Sequence, residues 1–131
     1  MDANPTFLNT NLPDPSSPDP LLAVYWTDLQ GPGSNWIFTE TQGSTPNRTF
    51  TIMWKNAQSP LAPGDGITFE AVLREGGGIE LQYQDTDFGD PGLNAGAAAT
   101  VGIQLGGLGA TWCFNGSPNP IPGNSALLVT P

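Results

Sequence analysis

An acidic stretch holds the side chains best placed to do chemistry. Residues 82–90 read QYQDTDFGD, so Asp85, Asp87 and Asp90 lie close together beside a glycine. Carboxylate oxygens are ligands that calcium prefers, and Asn94 could add an amide oxygen. The bidentate glutamate of an EF-hand loop is missing, and no helical pattern flanks the stretch. Two interpretations therefore stay open: a calcium site formed by the three aspartates, or a solvated acidic turn.

Most other catalytic and metal-binding chemistry lacks its side chains. The sequence has no histidine and one cysteine, which excludes Ser–His and Cys–His hydrolases and the common zinc sites. A glycosidase needs only two suitably spaced carboxylates. Glu40, Glu70 and Glu80 fall on predicted outward-facing strand positions, where a solvated carboxylate is the ordinary outcome. We therefore expect that the protein is not an enzyme.

The charge balance narrows the range of partners. Twelve acidic residues against three basic ones give a net charge of −9. Nucleic acids and anionic membrane surfaces are bound through clustered cations, so we expect no nucleic-acid partner. No apolar run approaches the roughly 18 residues of a membrane-spanning helix, so we expect no membrane insertion. A field of this sign attracts cations such as calcium.

The composition is typical of an extracellular β protein. Charged residues make up only 11% of the chain, while 17 glycines and 14 prolines supply many turns. The surface must therefore consist largely of small polar residues, and we expect an extracellular or cell-surface location. The lone Cys113 has no partner for an intramolecular disulfide, and its neighbours Trp112 and Phe114 indicate a buried thiol.

Alternation of apolar and polar residues dominates the chain, whereas helical periodicity is absent. Strands are predicted at 21–28, 34–40, 48–56, 67–75, 78–85, 98–105, 110–114 and 125–130. Turn-rich segments separate these strands. The pattern predicts an all-β fold: an antiparallel β-sandwich of jelly-roll type with negligible helix.

The apolar faces of these strands predict the core. We expect the following residues to be mostly buried: Leu22, Val24, Trp26, Phe50, Ile52, Trp54, Phe69, Leu73, Leu81, Tyr83, Val101 and Ile103.

The Glu75–Gly78 segment joins two strands whose apolar faces must stay together. A slip of one residue would turn one strand inside out, so opposite residues need equal parity. A loop made of the three glycines meets this condition and predicts Leu73 opposite Leu81. The same register sets Arg74 opposite Glu80 as an exposed pair of opposite charges.

Residues 1–20 are rich in proline, which cannot serve in a central strand. We interpret them as an extended arm that precedes a sandwich domain at 21–131. The stretch from residue 6 to residue 12 is free of proline and alternates, so it could pair as an edge strand. A disordered leader is the alternative.

Exposed tryptophans would indicate polysaccharide binding, because sugar rings stack on aromatic faces. Trp36 and Trp112 are the candidate ligand-binding residues, since Trp26 and Trp54 belong to apolar strand faces. The alternative is that all four tryptophans lie in the core.

Several motifs occur in an order that matches a known kind of module. TPNRTF at 45–50, MWKN at 53–56, the hairpin at 67–84 and AATVGI at 98–103 are the matching segments. Together they resemble a β-sandwich accessory module of large secreted bacterial proteins. Such modules occur beside subtilisin-like proteases and adhesive repeats and are distantly similar to nidogen-type domains. The resemblance implies a non-catalytic role.

Two features depart from that module. The module usually opens with two further strands, which are absent here, and Met53 replaces the acidic residue that precedes its Trp-Lys-Asn motif. Without the opening strands, a sheet edge would lack a partner, and proteins rarely leave such an edge open.

Two functions follow from these observations. The first is a non-catalytic module of a secreted or cell-surface bacterial protein, used for adhesion, glycan binding or spacing. The alternative is a structural subunit of an extracellular filament or polymer, in which neighbouring subunits donate strands to one another.

Overall fold

The computed structural model describes residues 7–130. Its strands in chain order are β1 (Leu21–Trp26), β2 (Ile37–Gln42), β3 (Thr49–Ser59), β4 (Ala62–Arg74), β5 (Ile79–Asp85), β6 (Thr100–Leu105), β7 (Leu108–Phe114), β8 (Ser117–Pro118) and β9 (Ser125–Val129). One short 3-10 turn, Asn94–Gly96, precedes β6. The all-β prediction is confirmed, and each predicted strand has a counterpart. Within residues 7–130, no helix is long and apolar enough to cross a membrane.

The strands form two antiparallel sheets. We call the four-stranded sheet, in the order β1-β6-β7-β8, the front sheet, and the five-stranded sheet, in the order β2-β3-β4-β5-β9, the back sheet. Each pair of neighbouring strands is antiparallel. The predicted sandwich is thereby confirmed.

A row of aromatic rings joins the two sheets. Trp54 lies opposite Phe69, and Phe69 lies opposite Tyr83, so the three rings share the inner face of the back sheet. The ring centroids of Trp54 and Phe69 are 5.0 Å apart in a stacked arrangement. Tyr25 reaches them from the front sheet, with its centroid 5.5 Å from that of Phe69. Aromatic contacts of this kind add to the stabilisation that burial provides.

A bulge in β1 turns an additional side chain inward. The register of β1 against β6 shifts between Ala23 and Trp26, and both Val24 and Tyr25 are buried as a result. Simple alternation predicted Val24 but not Tyr25. The Tyr25 hydroxyl accepts a hydrogen bond from the Gly96 backbone at 2.7 Å, and burial raises the pKa of Tyr25.

The core is smaller on one side than the strand patterns predict. Five of the predicted core residues are buried: Val24, Phe69, Leu81, Tyr83 and Val101. Six are half-buried: Leu22, Trp26, Ile52, Trp54, Leu73 and Ile103. The prediction for Phe50 was wrong, because its side chain is 39% exposed. Phe50 lies on the inner face of the back sheet, where the front sheet does not cover it.

Loop residues complete the core at one end of the sandwich. Phe88 and Ile121 are buried although neither lies in a strand. Cys113 is fully buried, as predicted, and its Sγ lies 3.8 Å from the Gly96 carbonyl oxygen. Burial raises the pKa of this thiol.

The β4–β5 hairpin keeps the predicted parity but not the predicted register. Leu73 lies opposite Ile79 rather than Leu81, so the predicted pairing was wrong by two residues. The Arg74 backbone N–H donates to the Gly78 carbonyl, which starts the loop one residue earlier. Gly78 has a φ of 86°, a conformation that glycine adopts without strain.

Two exposed ion pairs fasten this end of the back sheet. Arg74 pairs with Glu80, but the two residues are diagonal rather than opposite. Arg48 donates from its side chain to both carboxylate oxygens of Glu75. These hydrogen bonds lower the pKa of Glu75. The β2–β3 and β4–β5 turns are thereby joined.

Residues 7–20 of the predicted arm, which we call the proline-rich segment, lie across the outer face of the front sheet. Leu12 is buried there, and its backbone N–H and carbonyl both bond to the Thr111 hydroxyl, at 2.9 and 3.0 Å. Asp14 bonds through its backbone to the side-chain amide of Gln104, at 2.6 and 3.1 Å. Residues 7–12 form no strand, and residues 1–6 of the predicted arm lie outside the described residues.

Candidate binding surfaces

The aspartates of the acidic stretch cap tight turns. Asp85 Oδ1 accepts from the Asp87 backbone at 2.9 Å, and Asp90 Oδ1 accepts from the Gly92 backbone at 2.8 Å. Asp87 Oδ1 accepts from the amide side chain of Asn94 at 2.6 Å. Each carboxylate therefore uses one oxygen to hold the loop, as aspartates in turns commonly do.

The structure brings only part of the predicted metal site together. Asp85 and Asp87 line a polar cavity of about 340 Å³, and Asp90 does not. Asp65, from β4, lines the same cavity and was not singled out by the sequence patterns. Across residues 7–130, no three acidic, histidine or cysteine side chains converge closely enough to hold a metal ion. Calcium binding in this loop stays a prediction.

The two candidate tryptophans lie in separate environments. Trp36 is half-buried and packs against the hydrophobic core. Trp112 is 46% exposed and lines an apolar cavity of about 310 Å³ together with Leu127 and Val129. Trp36 does not line the cavity that Trp112 lines.

Another cavity, of about 580 Å³, lies on the outer face of the back sheet. Glu70, Glu80 and Gln82 line it. Glu80 is bonded to Arg74 and also accepts from Gln82 at 2.9 Å. A carboxylate held in this way stabilises the surface of the sheet, and the outward-facing positions predicted for Glu70 and Glu80 agree with the strand register.

One side of the sandwich is open. Among the described residues, β1 pairs with β6 on one edge, and no strand pairs with its other edge. A cavity of about 340 Å³ lies there, lined by all six residues of β1 together with Trp54 and Phe69. The inner face of the back sheet continues beyond this cavity to Ile37 and Phe50, which are 49% and 39% exposed. We call this region the open side.

The open side could be predicted only in part. The resemblance led us to expect an unpartnered sheet edge, but it did not indicate which strand would carry that edge. The signal in the sequence is the alternation in β2, which places Ile37 on the inner face of the back sheet, where no strand of residues 7–130 covers it.

The fold and its surfaces define a small antiparallel β-sandwich module. A family model described as NIDO related matches residues 1–126, so the chain belongs to the NIDO-related family. This confirms the nidogen-like part of the resemblance, and the family is a non-enzymatic type of module. The match includes the proline-rich segment as well as the sheets. No curated protein and no solved structure gives a significant match.

Proposed function

We propose that the chain is a non-catalytic adhesion module of a secreted or cell-surface bacterial protein, and that it binds another polypeptide at its open side. The family type supports a non-catalytic role. The observation that carries the proposal is the open side itself, where inward-facing apolar residues lie uncovered.

The physical reason is the cost of hydrating apolar surface. A sandwich normally covers the inner faces of both sheets with each other. Here Ile37 and Phe50 lie on an inner face but remain in water. Covering apolar surface gains about 25 cal/mol per Å², and contiguous uncovered patches usually mark interaction sites.

A structural subunit is the second candidate function. Among the described residues, β1 is an edge strand of the front sheet and lies beside the cavity, which favours this candidate, since an edge strand accepts a strand from a neighbouring subunit. A head-to-tail contact of that kind need not close and would form a filament. Residues 9–14 of the proline-rich segment are bonded to the front sheet of their own chain, so they are not available as the donor strand.

A single side chain, Trp112, supports glycan binding as a further role. Trp112 is the more exposed of the two candidate tryptophans and lies in an apolar cavity, a setting that suits stacking of one sugar ring. Trp36 contributes to this proposal only by supporting the fold.

Paired variants on one edge strand test the proposal. Ile37 and Phe38 are neighbours in β2, with exposures of 49% and 47%, but they face opposite sides of the back sheet. Bacterial cells that display the chain are applied to immobilised proteins and polysaccharides. We expect Ile37→Lys to abolish retention on protein, and Phe38→Lys to leave it unchanged.

Other results distinguish the alternatives. If retention on polysaccharide depends on Trp112 but not on Ile37, glycan binding replaces adhesion to protein as the supported function. A ladder of oligomers in light scattering of the purified chain would favour the filament. Equal retention of both β2 variants would overturn the proposal.

A further inference from the structure

We infer that the outer face of the back sheet binds a neutral saccharide in the cavity of about 580 Å³ that Glu70 and Gln82 line. The inference goes beyond adhesion to protein, because it concerns the opposite face of the back sheet from the open side. Ile37 does not line this cavity. Trp112, whose exposure supports the glycan role proposed above, does not line it either.

A row of four side chains crosses the floor of this cavity. Met53 of β3 lies opposite Glu70 of β4. Gln82 of β5 lies between Glu70 and Ala126 of β9. All four residues line the cavity. Neighbouring strands are about 4.8 Å apart, so the sheet fixes the spacing of these groups, and a site built on strands holds its geometry better than one built on loops.

Polar side chains around the row have hydrogen-bonding capacity that the described part of the chain does not use. In that part, the Glu70 carboxylate has no hydrogen-bond or ion-pair partner, and neither do the side-chain amides of Gln84 and Asn124, which also line the cavity. Gln82 donates from its side chain to Glu80 at 2.9 Å, which leaves its own side-chain oxygen as an acceptor. These groups are therefore available to a ligand.

The mixture of donors and acceptors selects a ligand rich in hydroxyl groups. A carboxylate such as that of Glu70 only accepts, whereas the amides of Gln84 and Asn124 both donate and accept. A cationic ligand offers donors alone and would leave the amide N–H groups without acceptors. Hydroxyl groups donate and accept, so a ligand with several hydroxyls satisfies all three side chains. Met53 and Ala126 provide apolar surface for the C–H groups of a sugar ring.

Charge and size narrow the ligand to a neutral saccharide. Glu70 and Glu80 line the cavity, and no basic side chain does. The chain carries a net charge of −9, so sugars with carboxylate groups are repelled. The volume falls within the range of small-molecule sites, about 300–1,000 Å³.

Oligosaccharide titrations test the inference. The probes are neutral hexasaccharides of α-linked glucose, β-linked glucose, β-linked mannose and β-linked xylose. A hexasaccharide of galacturonic acid is the anionic control, and spermidine is the cationic control. We expect calorimetry with the purified chain to show binding of at least one neutral probe and of neither control.

Two glutamates on the outer face of the back sheet provide matched variants. Glu70 lines the cavity, whereas Glu40, on β2, does not. Glu70→Ala should weaken binding of the neutral probe at least about tenfold, and Glu40→Ala should leave it unchanged. Where circular dichroism shows that Glu70→Ala is unfolded, Glu70→Gln replaces it and should also weaken binding.

Nuclear magnetic resonance locates the ligand. The neutral probe should shift the side-chain amide signals of Gln84 and Asn124, which line the cavity. The signal of the Gln104 amide should stay in place, because that amide is buried beneath the proline-rich segment.

The outcomes separate this inference from the proposed function. Equal binding of the galacturonic acid hexasaccharide would overturn the neutral class, and binding of spermidine alone would overturn the saccharide. Binding that Trp112→Ala abolishes and Glu70→Ala keeps would assign the sugar to the other cavity and overturn this site. If no probe binds, the inference fails, while retention on protein that depends on Ile37 would still support the proposed function.

Discussion

The outer face of the front sheet and the open side differ in which side chains they bury and which they expose. On the outer face, the polar residues Thr100 and Gln104 are buried under the proline-rich segment. On the open side, the apolar residues Ile37 and Phe50 are left in water. The face that water would ordinarily solvate is covered, and the face that a sandwich would ordinarily cover is not.

The difference shows which surface the chain completes by itself. Buried polar groups cost free energy unless they are hydrogen-bonded, and the proline-rich segment supplies those bonds to Gln104 through the Asp14 backbone and the Pro18 carbonyl. Within residues 7–130, no comparable segment covers Ile37. The outer face of the front sheet is therefore covered by a segment of its own chain, whereas the described residues leave the open side uncovered.

The largest expected effect contrasts a core ring with its neighbour on the open side. Phe69 is 2% exposed and stacks on Trp54, which is half-buried. Phe69→Ala should lower the free energy of unfolding by about 3–5 kcal/mol, and Trp54→Ala by less. Urea denaturation measures both. Equal losses would show that the open side is as well packed as the core.

A smaller effect concerns the segment that covers the front sheet. Gln104→Leu leaves the Asp14 backbone without its buried partner and should cost about 1–3 kcal/mol. Gln84→Leu is the control, since Gln84 is exposed on β5. A matching loss in both variants would contradict the role assigned to the buried amide.

The pH dependence of stability tests the same segment, and we expect a smaller effect. Hydrogen bonds from Ser16, Ser17 and Thr10 hold the pKa of Asp14 below its ordinary value. A carboxyl with a lowered folded-state pKa stabilises the fold above its unfolded pKa, and this contribution is lost as the pH falls through the folded value. We expect the stability to fall below about pH 4. Denaturation at several pH values should show a shallower fall for Asp14→Asn, and an unchanged slope would exclude this contribution.

The smallest expected effect belongs to the acidic loop. The calcium interpretation predicts that added calcium raises the melting temperature, because a ligand of the folded state stabilises it by mass action. Asp87→Ala should lose this rise, and Asp90→Ala should keep it, since Asp87 lines the cavity and Asp90 does not. Differential scanning calorimetry decides, and no rise with the wild-type chain leaves the acidic turn.

Local patterns predicted the strands, while their exact pairing depended on details that patterns do not encode. Alternation placed Phe69 and Tyr83 inside correctly, because the period of a strand fixes its faces. It missed Tyr25, because a bulge breaks the period, and it overestimated Phe50, because coverage depends on the width of the opposite sheet. The proposed surfaces share this limit. The exposure of Trp112 and the contribution of Asp65 arise from contacts between distant segments.

The reactivity of the buried Cys113 thiol reports how often the sandwich opens around it. Thiol reagents attack the thiolate, and burial at Cys113 raises the pKa and blocks access. Modification of the native chain therefore has to wait until β7 separates from its neighbours. The modification rate, followed with an aromatic disulfide reagent, measures how often that part of the sandwich opens. No engineered label is needed, since the sequence contains a single cysteine.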